Sequence, residues 1–114
     1  MTPVKTAITQ LGNHTVITVK EPITYQNCTE LKEFIQEAPG KGQTAIILEF
    51  KAVGYVDSVA LEMLLRLQEI LRERGLQLKI VGLNAVCRDI MIVTRLITQF
   101  AVYESVQEAI KEPL

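Results

Sequence analysis

The sequence has no Trp, a single His, two Cys and no long hydrophobic run. Nothing in it approaches the ~18 consecutive apolar residues of a membrane-crossing helix. The opening Met1-Thr2-Pro3-Val4-Lys5 also lacks a basic region followed by an apolar stretch of signal-peptide length. The expectation is a cytoplasmic protein with no membrane insertion. Cys28 and Cys87 lie far apart, with no His or further Cys at ligand spacing, so no metal site is expected and both thiols read as reduced and packed. Three Phe and three Tyr are not interleaved with basic residues, which argues against base stacking. Twelve Lys and Arg against thirteen Asp and Glu leave a formal charge of -1; no general field draws the chain to nucleic acid. His14 stands beside a turn with neither a second ligand nor a nucleophile near it, and reads as a surface turn residue rather than a general base. Gly40-Lys41-Gly42 lacks the spacing of a nucleotide loop. No catalytic residue, cofactor or enzymatic activity is expected.

What is present is enough apolar material, 48% of 114 residues, to close one core, so residues 1–114 are expected to form a single domain. Val4 to Leu11 and Thr15 to Val19 are rich in β-branched residues and flank Gly12-Asn13, the pattern of an antiparallel hairpin. A helix begins at Asn27, with Glu30 completing a capping-box spacing, and stops at Pro39-Gly40. Thr44 to Phe50 is almost wholly apolar, as suits a central strand buried on both faces. From Ser58 to Arg74 the period becomes helical: Ala60, Met63, Leu64, Leu67, Ile70 and Leu71 share one face, and Glu62, Arg66, Glu69 and Glu73 the other. Glu62 and Arg66 are spaced to support the helix, and Glu69 and Glu73 to repel. Gly75 ends it. Leu78, Ile80 and Val81 form another buried strand, Asn84 caps a third helix running to about Leu96, and Ser105 with Glu108 caps a last short one. The order is β-β-α-β-α-β-α-α. It implies an α/β fold: a mixed β-sheet with packed α-helices and right-handed crossovers.

In the third helix the core stripe reads Cys87, Ile90, Met91, Val93 and Thr94. Ile92 falls on the side of Arg88 and Arg95, an apolar residue between cations suited to a partner surface. The junction Gly54-Tyr55-Val56-Asp57-Ser58-Val59-Ala60 joins the buried strand to the second helix, so the Ser58 hydroxyl falls at a first turn with free backbone N–H groups. A phosphate there gains roughly 0.3 to 1 kcal/mol from the helix terminus, opposed by the neighbouring Asp57. The plainer alternative is that Asp57 or Ser58 simply caps the helix. Glu49 and Asp57 read as solvated acids at the sheet rim rather than a catalytic pair.

The run Ile46-Ile47-Leu48-Glu49-Phe50, followed by Val53-Gly54-Tyr55-Val56-Asp57-Ser58, resembles the STAS signature, in which a hydrophobic strand and a short loop lead into Asp-Ser at the second helix. The resemblance continues through Leu71 to Gly75, Leu78 to Leu83 and Phe100 to Ala109, nearly the whole chain. It implies the fold of the bacterial anti-sigma-factor antagonists, and a partner-switching role in transcription regulation. In those proteins the Ser after the Asp is phosphorylated by a cognate anti-sigma kinase, and the unmodified form binds that kinase. Carried over, Ser58 is the acceptor and Asp57 its acidic neighbour; the partner surface expected around them takes in Val59, Glu62 and Thr24, with Ile92 added from its place between the two arginines. Val59 and Ala60 stand where the family usually has a small or hydroxyl residue and then Gly; Glu62 replaces a later Gly, and Thr24 is nearest to a usual Asp. The implied partner is an anti-sigma factor, a histidine-kinase-like serine kinase. The alternative is a non-switching scaffold subunit of a stressosome-like or lipid-transport complex, binding other STAS proteins or itself, with Ile92 and Met91 as contacts.

Overall fold

The computed structural model describes residues 4–112. Strand β1 (Thr6–Leu11) turns through Gly12, at φ +61°, into β2 (His14–Val19). Then come α1 (Cys28–Glu37), β3 (Ala45–Glu49), α2 (Ser58–Glu73), β4 (Gln77–Val81), α3 (Ala85–Val93), a 3₁₀ turn at Ile97–Gln99, β5 (Ala101–Tyr103) and α4 (Val106–Lys111). The strands lie in chain order, β1-β2-β3-β4-β5, with β1 antiparallel to β2 and every later neighbour parallel. The expected mixed α/β sheet is thus the observed one.

Alternation along the strands divides the core. Ile17 and Val19, Ile46 and Leu48, and Leu78 and Ile80 face the helices α1 and α2, where Leu31, Ile35, Leu64, Leu67 and Leu71 close over them. On the other face Val16, Ile47 and Val81 pack against Ala109 of α4. Both faces of β3 are buried, as its unbroken apolar run requires.

Four details differ from the sequence reading. Strand β5 was not expected: three residues are too few to show a period, and what holds them is pairing of Lys79, Ile80 and Val81 with Ala101, Val102 and Tyr103. Helix α3 stops at Val93 rather than near Leu96, because Arg95 adopts φ 62° and Leu96 N–H donates back to Met91 O at 2.8 Å. Gly75 (φ +78°) ends α2 in the same way, with Leu76 N–H on Leu71 O at 2.8 Å. That early stop leaves Val93 80% exposed and Thr94 exposed, so neither belongs to the α3 core stripe, which is Cys87 and Met91 with Ile90 half-buried. Finally, Glu62 and Arg66 do not pair; among the described residues the one ion pair is Arg88–Glu104 at 3.5 Å.

His14 also departs from expectation. It is buried rather than a surface turn residue, since β2 lies inside the sheet and its even-numbered side chains face α4. Its Nδ1 is 2.8 Å from Asn13 Oδ1 and its Nε2 is 3.2 Å from Nζ of Lys79, a fully buried lysine on β4. The Lys79 ammonium also donates to the carbonyls of Ala109 (2.6 Å) and Glu112 (3.1 Å), at the C-terminal end of α4, where a cation opposes the partial negative charge of the helix.

Candidate functional site at the carboxyl ends of the parallel strands

Loops 20–27, 50–57 and 82–84 leave the parallel strands β2, β3 and β4 at the same end of the sheet, their carboxyl end. In open α/β sheets this is the end where function collects. Here the loops are fastened to one another. Ile23 and Val56 form an isolated parallel bridge, with Ile23 N–H on Tyr55 O and Asp57 N–H on Ile23 O, both 3.2 Å. Ile23, Val53 and Val56 are buried beneath it and anchor the loops in the core. Asn84 secures the third loop: its Oδ1 accepts from Cys87 N–H at 2.8 Å, capping α3, and its Nδ2 donates to Val53 O at 2.9 Å.

Asn27 opens α1 as expected, its carbonyl accepting from Leu31 N–H at 3.1 Å, but its side chain does not form half of a capping box. Its side chain turns back into the preceding loop, accepting from Thr24 N–H (2.8 Å) and donating to Pro22 O (2.9 Å) and Glu21 Oε1 (3.0 Å). Loop order outcompetes the cap at this position. At α4 the cap itself forms, Ser105 Oγ accepting from Glu108 N–H, while Glu108 Oε2 reaches one residue past the cap and accepts from Glu104 N–H instead of Ser105 N–H.

Asp57 is the residue that joins two of these loops. Its Oδ1 accepts from Ala60 N–H at 2.8 Å, capping α2, and its Oδ2 accepts from Tyr25 N–H at 2.8 Å across the loop bridge. The choice between Asp57 and Ser58 as cap is thereby settled for Asp57. Ser58, the first helical residue, is exposed, and its hydroxyl makes no hydrogen bond among the described residues. Around it stand Tyr25 (67% exposed), Tyr55 (49%) and Val59 (45%). From Val59 a groove of about 250 Å³ runs between α1 and α2, with Cys28 and Met63 at its base and Lys32, Glu62 and Arg66 beside it.

Of the residues singled out from sequence, Thr24, Asp57, Ser58 and Val59 are brought together by the loop bridge, and Glu62 follows along the groove. Thr24 contributes to the turn itself, its Oγ1 accepting from Gln26 N–H at 3.2 Å. Ile92 is 51% exposed on α3 and does not line the α1–α2 groove. The sequence reading missed Tyr25 and Tyr55. Each is two residues or fewer from a buried anchor, Ile23 or Val56, and that alternation of buried and outward positions was the available signal. Cys87 is buried, donates to Val53 O at 3.4 Å, and has its thiol pKa raised by burial; it braces the loop from below.

A family model for the STAS domain matches residues 5–109, and the chain belongs to the STAS domain family. Its fold is similar to that of a candidate anti-sigma factor antagonist from Thermotoga maritima, with TM-score 0.84, 17% identity, and 93% of this chain and 92% of that one covered. An anti-sigma factor antagonist from Mycobacterium paratuberculosis superimposes with TM-score 0.81 at 20% identity, covering 94% of this chain and 91% of that one. The murine Solute Carrier 26 family member A9 anion transporter contains the same fold, with TM-score 0.73 at 16% identity, over 90% of this chain but only 18% of the transporter. Among curated proteins, none matches the chain. No described helix is long and apolar enough to cross a membrane.

Proposed function

We propose that this chain is a partner-switching regulator of the anti-sigma-antagonist kind, which docks on a cognate serine kinase through the Ser58 surface and is released when Ser58 is phosphorylated. The observation that carries this reading is the free, outward Ser58 hydroxyl directly after a capping Asp57. Tyr25 and Tyr55 give the surface exposed aromatic area of the kind enriched at docking hot spots, and Val59 adds apolar area beside it. A phosphate of nearly two negative charges placed in that contact either finds a cation or is left desolvated and repelled. Asp57, whose oxygens are already engaged, adds to the repulsion.

The test is incubation with ATP and histidine-kinase-like serine kinases encoded beside the gene, followed by intact-mass measurement and site mapping. Phosphate on Ser58, tight kinase binding by Ser58→Ala and weakened binding by Ser58→Asp support the switch. Phosphate on another residue, or equal binding by the two variants, refutes it. A second reading, a non-switching STAS scaffold, rests on the exposed pair Ile92 (51%) and Val93 (80%) on α3. Met91, offered from sequence as a contact in such a scaffold, is fully buried and drops out. Large assemblies dissolved by Ile92→Glu would favour that reading.

A further inference from the structure

The sheet has two edges, and they are unlike. Strand β5 is three residues long and packs with α4. Strand β1 is six residues, Thr-Ala-Ile-Thr-Gln-Leu, with no charge and no proline, and its last four residues are exposed. Lys20 N–H donates to Lys5 O at 2.9 Å, and the register pairs Thr6 with Val19. In an antiparallel ladder this directs the backbone groups of Ala7, Thr9 and Leu11 toward β2 and those of Thr6, Ile8 and Gln10 outward. A long, uncharged, unpaired edge is a template for another strand unless something blocks it. Nothing does so here among the described residues.

The chemistry beside the edge selects what pairs with it. A groove of about 270 Å³ lies along β1, between Val4 and Thr6 on one side and Glu30, Glu33, Phe34 and Glu37 of α1 on the other. The three glutamates occupy one row of α1, none is in an ion pair, and Glu30 Oε1 is buried without a hydrogen-bond partner. Ile8 (44% exposed) and Phe34 (38%) supply apolar area. A second copy of this chain fits poorly: two-fold pairing of identical edges is antiparallel, keeps both α1 helices on one face, and sets the two acidic rows against each other across the seam. We propose that the β1 edge is a strand-addition site for an extended segment of a partner protein that carries Lys or Arg at alternate positions. The segment's backbone pairs with Thr6, Ile8 and Gln10, and its cations reach Glu30, Glu33 and Glu37. This site lies on the side of α1 away from the α1–α2 groove and does not depend on the Ser58 reading.

The probe is a fluorescein-labelled, end-blocked heptapeptide alternating valine and lysine, with the valine–glutamate repeat as control, titrated with the full chain by fluorescence anisotropy. Saturable binding is expected for the lysine peptide, at least about tenfold tighter than for the control and weakened by salt. Ile8→Pro removes an outward N–H without breaking the β1–β2 ladder and lowers affinity at least about tenfold. Because proline can also disturb the strand, Glu33→Lys/Glu37→Lys, on exposed positions, is the companion variant and has the same expected effect with an unchanged melting temperature. Equal binding of the two peptides, or unchanged affinity in the charge-reversed variant, overturns the proposal. So does a native dimer in light scattering that Ile8→Pro dissociates, which would give the edge to a second copy.

Discussion

Replacing His14 with Gln should remove an acid-side loss of stability that the native chain carries. In the folded protein His14 Nδ1–H donates to Asn13 Oδ1 and Nε2 accepts from the Lys79 ammonium 3.2 Å away, so His14 is held as the neutral ring. Burial, and then the charge of Lys79, lower its pKa below 6.5. Two unit charges at 3.2 Å repel by about 5 kcal/mol at an effective dielectric of about 20, enough to keep the proton off. Among the described residues, the other charged or titratable groups around the pair are Tyr103, whose ring lies 5.8 Å from Lys79 Nζ, and Glu112, which raises the Lys79 pKa against the larger lowering by burial. Since the folded pKa is depressed, the unfolded chain binds the extra proton first. The contribution is whole above about pH 6.5 and falls as pH drops through that value, with a slope approaching 1.4 kcal/mol per pH unit, about one proton's worth. Urea unfolding followed by circular dichroism at about pH 7 and about pH 5.5 should show the native chain losing about 1 kcal/mol more than His14→Gln. Glutamine keeps an acceptor for Lys79, and carboxylates titrate alike in both proteins and cancel. If both lose stability equally over that interval, His14 is not held neutral by its burial and by Lys79, and the account of the pair fails.

Arg95→Gly should raise stability by about 0.5 to 1 kcal/mol, read as a higher melting temperature, because Arg95 holds φ 62° with a side chain exposed to solvent. No gain would mean that the guanidinium contributes more than the backbone strain removes. Lys79→Met should leave the carbonyls of Ala109 and Glu112 without their buried donor, so hydrogen exchange should accelerate selectively at Val106–Lys111 while α1 and α2 keep their protection. Unchanged protection there would show that apolar packing of Ala109 alone holds α4. Asp57→Ala removes the α2 cap and the tie to Tyr25 together, and should lower unfolding free energy by about 1 to 2 kcal/mol in denaturant titrations; a loss near zero would refute the capping role.

The parts of the fold that the sequence made legible are those where burial repeats with a period. The apolar run Ala45–Glu49 and the stripe Ala60, Met63, Leu64, Leu67 and Leu71 each meet one environment along their length, so composition reveals them. What stayed hidden depends on partners distant in the chain. Strand β5 exists because β4 offers it an edge, and its three residues could carry no pattern. Asn27 and Glu30 had capping-box spacing, yet the loop around Pro22 and Thr24 offered the Asn27 amide better bonds. His14 and Lys79 are 65 positions apart, and two polar residues in β-branched surroundings gave no sign that strand register would carry both under α4. At the candidate site, Asp57 and Ser58 were visible as a pair of cap-type residues. The division of work between them was not, because it is decided by Tyr25 N–H, from a different loop.

That division bears on how the Ser58 surface can be used. If Ser58 were the cap, its hydroxyl would be committed to a backbone N–H, and adding phosphate would break a bond that holds α2. Asp57 takes that place, and its second oxygen fixes the neighbouring loop, so both sides of the surface are set without Ser58. The first-turn amide of Ala60 is occupied by Asp57, so a Ser58 phosphate is left with the N–H groups of Ser58 and Val59, partners too few to bury it. The charge of such a phosphate would therefore stay at the surface, where under the proposed switch it would meet the bound partner and leave the helix beneath largely undisturbed. Under the proposed switch, loss of kinase binding in a Ser58 variant would report on contact rather than on folding, because a substitution at an exposed, unbonded position should shift stability by no more than about 0.5 kcal/mol.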